Sequence, residues 1–69
     1  MKVFAERLKE LRHDKGLTTR ELGKMLDVSS ASVVRWENNQ TNIKAEEIAK
    51  VAKFFGVSTD YLLGLSEDF

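Results

Sequence analysis

Residues 17–39 read LTTRELGKMLDVSSASVVRWENN, and their punctuation decides the fold. Thr18 and Glu21 stand three apart at the head of an apolar-patterned segment. That is a capping-box spacing, in which side chain and backbone satisfy each other's free donors. Leu17 before the cap and Leu22 beyond it are placed as a hydrophobic staple. A helix is therefore expected over about 19–26, with Leu22, Met25 and Leu26 as its buried stripe. Gly23 inside it costs about 1 kcal/mol relative to alanine, a cost that close approach of another helix would explain. Asp27-Val28 forms a short turn, and Ser29 is the next cap. A second helix follows over 30–37, with Val33 and Trp36 facing inward. Asn38-Asn39 can adopt left-handed geometry and stop it.

The flanks also read as helices. Before the quoted stretch, Phe4, Ala5, Leu8 and Leu11 share one face of a helix expected over 4–15, which Gly16 ends. After the polar loop Gln40-Thr41-Asn42, the positions of Ile48, Val51, Ala52 and Phe55 predict a helix over 45–55, stopped by Gly56. Ser58 caps a short last helix over 59–63, closed by Gly64. Residues 65–69 are expected to fray. There is no strand pattern, internal repeat, low-complexity tract or linker.

Composition bounds what such a chain can do. Sixty-nine residues make one small domain, too short for a two-domain enzyme. A chain of this size hides only about 60% of the surface its unfolded form exposes, so the core is lean. There is no cysteine, hence no disulfide or thiolate metal site, and the single histidine, His13, excludes a multi-histidine zinc site. No apolar run approaches the roughly 20 residues of a membrane span, and the N-terminus lacks the apolar stretch of a signal peptide. A cytoplasmic protein is expected. Met1 argues for an authentic start, while the end past Gly64 equally fits a boundary before a further domain. Eleven basic residues balance eleven acidic ones, so no strong global field draws a partner.

Two short helices joined by a three-residue turn form a helix-turn-helix, whose second helix can enter the major groove of DNA. Spacing alone is a weak signal, since any small bundle contains short helix pairs. The residues are more specific. Gly16-Leu17-Thr18, Glu21-Leu22, Val28-Ser29, Trp36-Glu37-Asn38, Gly56-Val57-Ser58 and Tyr61-Leu62-Leu63-Gly64 together resemble the Cro-like (XRE-type) helix-turn-helix family of phage repressors and bacterial regulators. The resemblance runs from about Phe4 to Gly64. It implies an all-α, five-helix, lambda-repressor-like DNA-binding domain over residues 1–69, with a central helix-turn-helix.

Carried over residue by residue, the resemblance implies that bases are read from one edge of the second helix of the pair. Ser30, Ala31, Val34 and Arg35 line that edge. Arg35 suits a bidentate contact to guanine, Ser30 several bases, and Ala31 and Val34 thymine methyl groups. Thr19, Arg20, Ser32, Asn38, Gln40, Thr41 and Lys44 are the expected contacts to the DNA backbone. The resemblance also places Arg12 beside Glu37 as a fold-fixing ion pair. Three positions depart from the family. Thr19 stands where glutamine is common, and Asn39 where glycine is usual. Gln40-Thr41-Asn42-Ile43 replaces a stretch that is often basic and ends in proline. Residues 18–42 carry Arg20, Lys24 and Arg35 against Glu21, Asp27 and Glu37, a sum of zero. Affinity must then come largely from dimerisation and neutral hydrogen bonds.

Trp36 is expected in the core. His13 belongs on the surface, near the negative end of its helix. Glu46-Glu47 decorates a first helical turn, where negative charge is favoured, rather than a metal site. No catalytic constellation, metal site or cofactor motif is present. The apolar set Tyr61, Leu62, Leu63, Leu65 and Phe69 closes the core over the first helix and leaves a remainder suited to a homodimer seam. The expected function is sequence-specific binding of double-stranded DNA by a transcriptional regulator, a repressor that acts as a dimer on a palindromic operator. The alternative is a protein-interaction module, antitoxin- or antagonist-like, that uses the same fold on a protein partner.

Overall fold

Cap chemistry sets the frame. In the computed structural model, which describes residues 2–40 and 42–69, five helices follow one another: α1 Lys2–Asp14, α2 Thr19–Leu26, α3 Ser30–Glu37, α4 Ala45–Phe55 and α5 Thr59–Leu63. No strand occurs among the described residues. At the head of α2 the Glu21 amide donates to Thr18 Oγ1 at 3.0 Å, and the Thr18 amide donates to the Glu21 carboxylate at 2.9 Å. Ser29 Oγ accepts from the Ser32 amide, and Ser58 Oγ from the Tyr61 amide. Lys44 heads α4 without a side-chain cap; its amide donates to the Glu47 carboxylate instead.

Helix α1 begins at Lys2, earlier than its apolar pattern suggests, and ends at Asp14. Its first residues add backbone turns without adding to the Phe4, Ala5, Leu8, Leu11 face, so periodicity gave no sign of them. Helix ends in any case drift by a residue or two.

Phe4 and Leu8 from α1, Leu22 from α2, Val33 from α3, Val51 from α4 and Leu62 from α5 are almost fully buried together. Each helix thus contributes to one core, and Trp36, Leu26 and Tyr61 complete it. Leu17, the staple residue, is half-buried against that core. Helix α1 packs on α3 and α5, and α2 packs on α3 and α4. One expectation fails. Met25 is 57% exposed and faces solvent. In a helix of eight residues Leu22 and Leu26, four apart, already span the inward stripe. Met25, one residue before Leu26, is rotated off it.

The C-terminal segment is held, not frayed. Arg7, on α1, donates to the carbonyls of Tyr61 and Ser66 and to the Glu67 carboxylate. Its guanidinium lies 4.2 Å from the centre of the Tyr61 ring, a cation–π contact. Phe69 packs on the same Tyr61 ring, at 4.7 Å between centres. Gly64 leads into this segment at φ 79°, and a Cβ there would meet Val3 Cγ1 at 2.8 Å. Neither the backbone angle nor the space tolerates a side chain.

Candidate nucleic-acid interface

The α2–α3 corner is built by backbone approach. An added Cβ at Gly23 would lie 2.8 Å from the Val28 carbonyl oxygen and 3.2 Å from the backbone of Ser29 and Ser30. The close neighbour is therefore the turn and the first residue of α3, rather than the flank of another helix. Asp27 ends α2 in left-handed geometry, φ 58° and ψ 44°. A short polar side chain tolerates this better than most. The Lys50 ammonium on α4 donates to the Leu26 carbonyl at 2.8 Å, holding the C-terminal end of α2.

At the other end of α3 the turn is split between two residues. Asn38 has φ −95°, and Asn39 alone is left-handed, at φ 55°. The expectation of left-handed geometry across both asparagines is corrected to the second. Arg12 fixes this end. Its Nε donates to Glu37 Oε2 at 2.6 Å and its Nη2 to Glu37 Oε1 at 3.0 Å, while Nη1 donates to the Leu17 carbonyl at 2.8 Å. Only 11% of the Arg12 side chain and 6% of the Glu37 side chain are exposed. The hydrogen bond to Glu37 is the main cause that raises the Arg12 pKa above its ordinary value; burial opposes it, and the nearby carboxylate charge adds to it. One further contact of the Arg12 guanidinium is His13 Nε2, at 3.2 Å on the surface.

With both ends pinned, α3 turns Val33 and Trp36 into the core and leaves Ser30, Ala31, Val34 and Arg35 exposed on one edge. The structure brings these four residues together. Beside them Arg20, Glu21, Lys24, Val28 and Ser30 line an open cleft of about 430 Å³ between α2 and the start of α3. Arg20 and Lys24 are exposed, and neither joins an ion pair among the described residues. Lys24 lies four residues from Arg20, on the same helix face. That spacing is the signal that would have placed it at this surface alongside Arg20. Thr19 and Ser32 are half-buried; Asn38, Gln40 and Lys44 are exposed. Asn38 and Gln40 lie beyond the C-terminal end of α3, and Lys44 is at the head of α4. Thr41 lies outside the described residues.

This geometry, two capped eight-residue helices with one exposed edge and cations beside it, is that of a helix-turn-helix corner. A family model for the helix-turn-helix matches residues 8–62, and the chain belongs to that XRE-type helix-turn-helix family. It carries the fold of a family of DNA-binding transcription regulators, not of enzymes. It is 36% identical over 64 residues to the HTH-type transcriptional activator BcrR of Enterococcus faecalis, covering 93% of this chain and 31% of that protein. It is 32% identical, again over 93% of this chain, to the HTH-type transcriptional regulator ImmR of Bacillus subtilis, of which it spans 50%. The chain thus spans half or less of these two curated relatives. Among solved structures, the P22 c2 repressor protein in complex with a synthetic operator matches with a TM-score of 0.84 at 30% identity, over 91% of this chain and 96% of that one. No helix among the described residues is long and apolar enough to cross a membrane.

Proposed function

We propose that this protein is a cytoplasmic, sequence-specific transcriptional regulator that lays α3 in the major groove of double-stranded DNA. The observation that carries the reading is the exposed edge Ser30, Ala31, Val34 and Arg35, flanked by the unpaired cations Arg20 and Lys24. Arg35 reads guanine; Ser30, Ala31 and Val34 contact neighbouring bases. Thr19, Arg20 and Lys24 approach the phosphates beside α2, and Asn38, Gln40 and Lys44 approach them beyond the end of α3. Two N–H groups of the first turn of α2, at Thr19 and Arg20, precede the intrahelical ladder and suit a phosphate oxygen.

The functional unit is a two-fold dimer. Leu65 is 75% exposed and Val3 39% exposed, and Val3 lies beneath Gly64 next to Leu65. These form the apolar remainder at the α1–α5 end that a second copy covers. A dimer places two α3 helices about 34 Å apart and reads a near-palindrome. Repression is the proposed outcome, because it needs only occupancy of a site that polymerase must use.

Selection of genomic fragments with purified protein, followed by binding at two salt concentrations, tests the reading. Recovery of a palindromic site with salt-dependent affinity supports it. Absence of enrichment at low salt, with folded protein at dimerising concentration, supports the second reading, a protein-interaction module. The 57% exposure of Met25 and 40% exposure of Val34 favour that alternative. Around Val34, however, the one apolar neighbour on the exposed edge is Ala31, a small surface for a protein partner.

A further inference from the structure

We infer that Ser32 is a positioning residue for Arg35, and that its hydroxyl sets how selectively α3 reads a guanine edge instead of contacting the DNA backbone. The inference rests on the DNA-binding reading above. A polar chain runs along α3. Ser29 Oγ accepts from the Ser32 amide at 3.1 Å and lies 3.0 Å from Ser32 Oγ. Arg35 Nη2 lies 3.4 Å from Ser32 Oγ. A guanidinium only donates, and a serine hydroxyl has one proton and two lone pairs. Ser32 Oγ therefore accepts from Arg35, and between Ser32 and Ser29 either hydroxyl can donate.

The two ends of this chain differ in freedom. Ser29 is fixed by its cap, whereas Arg35 is an exposed arginine, the one cation on α3, with about 2 kcal/mol of rotamer entropy to lose on binding. The contact with Ser32, one helical turn back, biases the guanidinium toward the exposed Ser30 and Ala31. The other guanidinium N–H groups stay available to a paired acceptor such as the guanine edge. Ser32 is half-buried where Ser30, Ala31 and Arg35 are exposed. That placement suits a residue that orients its neighbour better than one that reaches a phosphate.

The test compares wild type, Ser32→Ala, Ser32→Thr, Arg35→Ala and the double variant Ser32→Ala/Arg35→Ala. The probes are the duplex recovered by selection, the same duplex with each G·C pair exchanged for A·T, and a random duplex. Ser32→Ala is expected to fold, since the Ser29 cap on the Ser32 amide is retained. Its preference for the G·C pair read by Arg35 falls about threefold to tenfold, the worth of one modest hydrogen bond. Its salt slope and its binding to the random duplex stay as in wild type. Ser32→Thr restores the preference, and the double variant matches Arg35→Ala alone. Without DNA, the Arg35 Nε order parameter measured by NMR falls in Ser32→Ala. An equal loss on all duplexes, a shallower salt slope, additivity with Arg35→Ala, or an unchanged Arg35 order parameter would each overturn the positioning role. So would discrimination that survives Arg35→Ala. These outcomes leave DNA binding itself intact; failure of every duplex to bind overturns that reading and the inference together.

Discussion

Arg12 and Glu37 meet at two points, 2.6 and 3.0 Å apart, and so fasten the last residue of α3 to α1. Both side chains are nearly out of water, so removing one strands the other. Glu37→Ala should cost about 3 kcal/mol, at the low end of the range for breaking a buried pair. A domain this small loses roughly 4–8 °C in Tm per kcal/mol, and a thermal melt followed by circular dichroism reads the drop directly. Arg12→Met/Glu37→Leu, which removes both charges, should recover much of it. An unmoved midpoint in Glu37→Ala would show that the pair contributes nothing.

Gly23→Ala sets two effects against each other. Alanine is the better helix former by about 1 kcal/mol, but its Cβ would meet the Val28 carbonyl at 2.8 Å. That neighbour is backbone and cannot swing aside. Overpacking of this kind costs about 1–3 kcal/mol, so a net loss is expected in urea unfolding. A gain in stability would mean that the corner opens freely.

The three caps show why much of the architecture was legible in the sequence. Thr18, Ser29 and Ser58 act on amides three residues away, so their chemistry is complete within a short window. The all-α class and the helix-turn-helix corner follow from that punctuation and from apolar spacing. Contacts between residues far apart in sequence were not legible in the same way. Arg7 reaching Ser66, or Lys50 reaching the Leu26 carbonyl, leaves no periodic trace. The pairing of Arg12 with Glu37 came from the family resemblance and not from spacing. Met25 departs from its expected place because apolar character alone does not require burial, and Leu22 and Leu26 already fill the stripe.

Acid should loosen α2 through Glu21. Donation from the Thr18 backbone N–H, and then from its hydroxyl, holds the Glu21 carboxyl below its ordinary value of 4.5. A depressed folded pKa stabilises the fold above the unfolded value, and that contribution fades as pH falls through the folded one. Glu21→Gln keeps an acceptor without the charge. Its stability should therefore match wild type more closely at pH 3 than at pH 6, measured by urea unfolding at both values. An identical difference at the two pH values would remove Glu21 from the acid response.

Arg7→Ala should free the segment after α5. The arginine ties together the Tyr61 and Ser66 carbonyls and the Glu67 carboxylate, and the Leu65 amide is bonded to Asp60 at 2.8 Å beneath them. Losing these hydrogen bonds to a charged group should cost about 1.5–3 kcal/mol. Amide exchange at Leu65 should accelerate by more than exchange at Leu8. Equal acceleration at both sites would indicate global destabilisation in place of a local latch.

Arg20 and Lys24 separate affinity from selectivity. As phosphate contacts, each should reduce the steepness of log K against log[salt] by about 1 when changed to alanine, and weaken all sequences alike. Arg35→Ala should instead narrow the gap between the selected duplex and a random one, at a cost of about 1–3 kcal/mol in discrimination. A uniform loss from Arg35→Ala would reassign it to the backbone.

Ser30, Ala31, Val34 and Arg35 all lie outside the core cluster that holds the domain together. The lettering on α3 and the type-block that carries it are consequently separable. Substitutions at these four positions can rewrite the message without recasting the frame, whereas the Gly23 corner and the Arg12–Glu37 tie keep every new message at the same depth and angle. A library randomised at these four positions should therefore yield mostly folded proteins, and selection on it would explore vocabulary, not architecture.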